Sequence, residues 1–155
     1  RLYYIEWVRV MGSVVDFLLK ARRKVYRSGA NPAGSSVPTS YDLEYREDEF
    51  YYRSTSLGGL YTATQERVWK NGKPVWAINI MGRIVADGFQ GSFLREALLQ
   101  IDHTFPFRGP QEYKQGDYVY LSRIEGDVSW FSGIEEIYFH DKLVYEARFQ
   151  GGALY

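Results

Sequence analysis

The dipeptide Asn71-Gly72 separates two runs of β-forming residues, Tyr61 to Trp69 and Val75 to Met81. Asn-Gly is the preferred pair for a two-residue type I′ turn, because both central positions need positive φ. Residues 60–82 are therefore expected to form a β-hairpin, which makes antiparallel sheet the framework of the fold. Pro74 has no N–H to donate, so it belongs at a non-bonded or edge position just after the turn.

A two-residue turn sets the register of its strands. The regular register places Lys70 opposite Lys73, Val68 opposite Val75, Glu66 opposite Ala77 and Thr64 opposite Asn79. Thr64, Glu66 and Asn79 then share a face with Val68, Val75, Ala77 and Met81. A glutamate in such surroundings has its pKa raised by desolvation unless it is paired. The other face pairs Arg67 with Trp76, a cation–π contact.

The length of 155 residues suits a single domain with a sizeable core. Fourteen tyrosines and four tryptophans fit strands better than helices. Lys+Arg and Asp+Glu balance at 19 each, so global charge gives no reason to expect nucleic acid or an acidic membrane as partner. With no cysteine, disulfides, thiolate zinc sites, iron–sulfur clusters and cysteine nucleophiles are all excluded, and a cytoplasmic protein is expected. Neither a membrane span nor a signal peptide is expected, because no apolar run reaches the roughly 18–20 residues of a span.

Ser13-Val14-Val15-Asp16 resembles a capping box, and Val14, Leu18, Ala21 and Val25 follow at helical spacing. A helix is expected from Ser13, with Lys20, Arg22, Arg23 and Lys24 as its solvated basic face. Residues 1–10 are then either an upstream extension before Met11 or an extra strand, since Leu2 to Ile5 and Trp7-Val8 have strand composition. The domain is placed at 11–155. Residues 28–40 read as a loop. Strands are expected at Tyr41 to Glu47, at Phe50 to Arg53, and after the hairpin at Tyr118 to Ile124, Val128 to Phe139 and Leu143 to Phe149. A second helix begins at Ser92, with Phe93, Ala97 and Ile101 on one face.

The halves resemble each other. Glu66, Val68, Trp69, Val75, Trp76, Ile80 and Gly82 recur 69 positions later as Glu135, Ile137, Tyr138, Val144, Tyr145, Phe149 and Gly151. His140-Asp141 falls opposite Asn71-Gly72, and Gly12-Ser13-Val14 is mirrored by Gly91-Ser92-Phe93. The expected fold is α+β: two tandem repeats, about 12–82 and 91–152, each a helix followed by three antiparallel strands. They would form one curved sheet or half-barrel with both helices on one face.

The same register in the second half places Glu135 opposite Glu146 and Gly133 opposite Arg148. Two readings follow. One is a ligand-binding pocket of Glu66, Asn79, Glu135 and Arg148, lined by Trp76 and Tyr145. The other is an internal Glu135–Arg148 salt bridge beside an unrelated glutamate. Arg108 either reaches an anion or hydrogen-bonds backbone carbonyls to hold its own loop. No metal-ligand spacing, phosphate-binding glycine loop or nucleophile elbow is present, so no metal, cofactor or catalytic residue is assigned.

Tyr51-Tyr52-Arg53, Lys73 through Gly82, Phe107-Arg108-Gly109-Pro110 and Val144-Tyr145 through Gly151-Gly152 resemble an uncharacterised prokaryotic family, the domain of unknown function numbered 5680. The Trp76-x-x-Asn79 and Arg108-Gly109-Pro110 elements are the most specific parts, in a likeness running from about residue 13 to the C-terminus. The family occurs alone and attached to helix-turn-helix regulators, which implies effector sensing and carries over no catalytic residue. The leading expectation is a small-molecule-binding or sensing domain. An enzyme using Glu66 or Glu135 as general base, and an interaction homodimer through a sheet edge, are the alternatives.

Overall fold

Asn71 and Gly72 adopt φ of 51° and 77°, and the strands on either side pair antiparallel down to Lys70 opposite Lys73. The computed structural model describes residues 2–27 and 32–154. Its elements are α1 (Leu2–Tyr26), β1 (Pro32–Ala33), β2 (Tyr41–Glu47), β3 (Phe50–Gly58), β4 (Tyr61–Lys70), β5 (Lys73–Ile84), α2 (Gly91–Leu98), β6 (Glu112–Gln115), β7 (Tyr118–Asp127), β8 (Trp130–Phe139) and β9 (Lys142–Ala153). The fold is α+β, with one open antiparallel sheet ordered β1-β2-β3-β4-β5-β9-β8-β7-β6. Its edge strands have two and four residues and offer little backbone for pairing with another chain.

The regular hairpin register does not persist. Trp69 faces Pro74, but Val68 faces Trp76, so Val75 is an extra residue in a β-bulge. The second hairpin does the same, with Tyr138 facing Leu143 and Ile137 facing Tyr145 around an extra Val144. Strict alternation would send one residue of Val75-Trp76 and one of Val144-Tyr145 into solvent. The bulges let all four enter the core, at 7, 0, 0 and 6% exposure. Beyond each bulge every side chain of β5 and β9 lies on the face opposite to the expected one. Glu66 therefore faces Ile78, not Ala77, and Glu135 faces Ala147, not Glu146. Asn79 and Arg148 are carried to the outer face, and Trp76 leaves Arg67 for the inner one.

Both helices cover the inner face. Phe17 of α1 stacks on Tyr45 and Phe50, and Phe93 of α2 stacks on Tyr113 and Tyr118. Val14, Leu18 and Ala21 join Trp76, Ile78 and Phe149 in one apolar core. Residues 2–10 are helical, which overturns the extra strand. Ser13 is no cap, since it lies inside α1 with its hydroxyl donating to Arg9 O at 3.2 Å. The expected mirroring of helix starts at Gly12 and Gly91 fails with it. Five strands follow α1 and four follow α2, where three had been expected after each. Pro32-Ala33 pairs with β2 inside the expected 28–40 loop, while residues 28–31 lie outside the described residues. Ile101 lies beyond the end of α2 but is still buried.

The bulged register has a direct test, aided by the absence of native cysteines. Gln65 and Asn79 are directly opposite, whereas Thr64 faces Ile80. The double variant Gln65→Cys/Asn79→Cys is expected to form a disulfide under mild oxidation, and Thr64→Cys/Asn79→Cys is not. Non-reducing mass spectrometry after proteolysis separates the two registers.

Candidate functional site

Five of the described charged side chains are buried, and four of them form one network: Arg22, Glu66, Arg108 and Glu135. Arg22 comes from α1, Glu66 from β4, Arg108 from the loop after α2, and Glu135 from β8. Arg22 reaches Glu66 Oε2 through Nε at 2.9 Å and Nη2 at 2.5 Å. The phenols of Tyr26 and Tyr52 both donate to Glu66 Oε1, the latter at 3.0 Å. Glu135 accepts from Arg108 Nε and Nη2 at 3.4 and 3.3 Å, Tyr120 at 2.7 Å and Tyr145 at 2.9 Å. Arg108 Nη1 also donates to the Tyr26 hydroxyl at 3.1 Å and lies 3.9 Å from Glu66, so one guanidinium joins both clusters.

Two guanidiniums against two carboxylates leave this core neutral, which is what permits its burial. Burial by itself would raise the Glu66 pKa, but Arg22 and Arg108 bring it below the usual carboxylate range. Burial drives the hydroxyl groups of Tyr26, Tyr52, Tyr120 and Tyr145 well above the usual phenol value, so they act as neutral donors. The Arg108-Gly109-Pro110 element fits here by geometry. A Cβ on Gly109 would stand 2.4 Å from the Tyr120 hydroxyl, so only glycine lets the loop lie close enough for Arg108 to reach Glu135.

Five residues expected at a binding site, Glu66, Trp76, Arg108, Glu135 and Tyr145, thus come together on the inner face. Asn79 and Arg148 do not join them, because the bulges send both outward. The expected Glu135–Arg148 salt bridge is replaced by Glu135–Arg108. Arg22 had been expected on a solvated face and is instead fully buried, with its guanidinium 5.6 Å from the Trp76 ring. Its signal was present, since Leu18, Arg22 and Tyr26 form an i, i+4, i+8 stripe.

The outer face carries a separate feature. A groove of about 490 Å³ runs over β5, β9 and the start of β8, lined among others by Ala77, Asn79, Glu125, Trp130, Ser132 and Gln150. Asn79 pairs across the sheet with Gln65 on one side and Gln150 on the other, and Gln150 with Ser132. Gln65 Nε2 donates to Asn79 Oδ1 at 2.8 Å. Trp130 stands in the next row at 81% exposure. Its turn is held at three points: Ser129 N donates to Asp127 Oδ1, Trp76 Nε1 to Val128 O and Ala153 N to Ser129 O, at 2.9, 3.0 and 2.9 Å. A second groove of about 750 Å³ adjoins it and is lined by Arg123, Arg148 and Phe149. Trp130 and Gln150 were not singled out from sequence. Gln150 follows the extra Val144 of β9, so the face it presents depends on the bulge, whereas Trp130 lies in β8 outside the reversed strands.

Among the described residues, no group of three or more His, Asp or Glu is placed to hold a metal ion. No described helix is long and apolar enough to cross a membrane. A family model described as Domain of unknown function (DUF5680) matches residues 54–154, from β3 to the end of β9. No curated protein and no solved structure matches the chain.

Two outcomes are expected of the buried network. Glu66→Ala strands Arg22 without its counter-charge and should cost about 3–5 kcal/mol in urea unfolding. Adding Arg22→Met to that variant should restore part of the loss. Asp42, outside the network, is another buried carboxylate held below its usual range; burial opposes this, but hydrogen bonds from Ser40, Ser36, Arg53 and Thr55 prevail. Both Glu66 and Asp42 therefore contribute stability above pH of about 4, which is lost as pH falls. Unfolding free energy measured from pH 7 to pH 3 should fall, and Asp42→Asn should flatten that acid limb.

Proposed function

The chain belongs to the DUF5680 family, and we propose that it is a small-molecule-binding domain whose ligand lies in the outer groove beside Trp130. The observation that carries this reading is an indole at 81% exposure, mounted on a turn that three hydrogen bonds hold in place. An exposed aromatic normally costs solvation with no return. Pre-positioned over a groove, it supplies binding area at little entropic cost. The volume also falls in the range typical of ligand sites.

In this reading Asn79 keeps its role as a ligand contact, and Arg148 borders the neighbouring groove. Glu66, Glu135, Arg108 and Tyr145 serve the framework, because their polar atoms are turned to one another. Trp76 supports the site from behind through Val128. Both candidate bases are engaged by buried partners, Glu66 by Arg22, Tyr26 and Tyr52 and Glu135 by Arg108, Tyr120 and Tyr145, which favours binding over carboxylate catalysis.

Duplication of a helix-and-strand unit belongs to the same proposal. Its support is the pair of bulges and the pair of buried glutamates, each repeated at 69 positions. The buried tyrosines Tyr52 and Tyr120 add to it, each donating to the glutamate of its own half.

A thermal-shift screen of a metabolite library tests the binding reading. A ligand present at about a hundred times its Kd should raise the melting temperature by roughly 5–10 °C. Trp130→Ala and Asn79→Ala should each shrink that rise while leaving the unliganded melting temperature nearly unchanged. A library in which nothing stabilises the wild type, or a ligand whose effect survives both substitutions, overturns the reading.

A further inference from the structure

The hydrogen-bonding chemistry of the groove narrows its ligand. Among its described lining residues, Glu125 is the one ionisable side chain, and no lysine or arginine is present. A phosphate or carboxylate entering here meets the Glu125 carboxylate first, since the nearest arginines on this face, Arg148 and Arg123, stand one row away in the adjoining groove. What the groove offers is amides on Asn79 and Gln150, the Ser132 hydroxyl and an acceptor-only carboxylate on Glu125. With Asn79 Oδ1 engaged by Gln65, Asn79 contributes Nδ2 as donor.

These groups form a row. Asn79, Gln150, Ser132 and Glu125 are successive cross-strand partners on β5, β9, β8 and β7. Neighbouring strands lie about 4.8 Å apart, so the row presents a donor at Asn79, groups that both donate and accept at Gln150 and Ser132, and an acceptor at Glu125. One row over, Ala77, Gly152 and Trp130 are likewise cross-strand partners, which leaves a floor with almost no side chain beside the indole. The floor is required by the turn itself, because a Cβ on Gly152 would lie 2.3 Å from Ser129 O.

We infer that the outer groove binds a neutral saccharide. Resting on the binding reading above, this names its ligand class. A pyranose ring has an apolar C–H face and a rim of hydroxyls that both donate and accept. Its face stacks on Trp130, the rim hydroxyls reach the amides and Ser132, and a hydroxyl donates to Glu125. The open groove on a sheet face also admits an extended chain of such rings.

The test is a ¹⁵N–¹H titration with glucose, galactose, maltose, cellobiose and chitobiose, with adenosine and adenosine monophosphate as comparison probes. At least one saccharide is expected to shift resonances of residues 77–79, 125–132 and 150–154. Trp130→Ala should weaken that binding roughly tenfold or more, and Trp130→Tyr should recover most of it. Trp130 is largely solvent-exposed, so both variants are expected to fold, which circular dichroism verifies. Glu125→Gln should weaken the saccharide, because an amide replaces the acceptor-only carboxylate. The inference is overturned if no saccharide shifts these resonances, or if the shifts survive Trp130→Ala unchanged. A Trp130-dependent ligand that is not a saccharide, adenosine monophosphate included, overturns the saccharide class and leaves the binding reading standing. A protein that binds neither a saccharide nor any library compound loses both.

Discussion

Two carboxylates and two guanidiniums taken out of water together tie α1 and the loop after α2 to the inner face of the sheet. An isolated buried charge costs far more than a domain can offset, so each member of the network needs the others in place. Arg22 binds α1 to β4 through Glu66, and Arg108 binds the loop after α2 to β8 through Glu135. Arg108 then closes the circuit through Tyr26. Four phenols complete the shell and exclude water from the charges without adding charge of their own.

The bulges matter as much as the charges. Each admits two consecutive large apolar residues to the core, and each reverses the face of every residue that follows. Trp76 and Tyr145 gain the interior, where one lies beneath Arg22 and the other donates to Glu135. Asn79, Gln150 and Arg148 are sent to the surface by the same displacement. A single extra residue per hairpin therefore sorts the polar residues into a neutral buried network and an exposed ladder.

The two faces communicate through Trp76. Its ring packs inside against Arg22 and Phe131, and its N–H holds Val128 O in the turn that carries Trp130. Rigidity at the outer groove thus derives from the core. A site that binds by pre-positioning one aromatic ring depends on such support, because a freely rotating turn would lose that entropy again on binding.

Local chemistry in the sequence was enough for the hairpin at Asn71-Gly72, the α+β antiparallel class and the strands about both turns. Turn type and apolar alternation are short-range properties, and they carry over directly. The faces of β5 and β9 were not legible, because a bulge is decided by the competition of Val75 with Trp76, and of Val144 with Tyr145, for the same core. The partner of Glu135 was equally hidden: Arg148 is the nearer in sequence, but Arg108 arrives from a loop whose path depends on Gly109 meeting Tyr120. Arg22 looked like a solvated charge until β4 brought Glu66 beneath it. The sequence by itself determined which residues turn, pair and alternate. Only the tertiary structure decided which charges meet and which side of the sheet faces water, because both depend on contacts between residues that are distant along the chain.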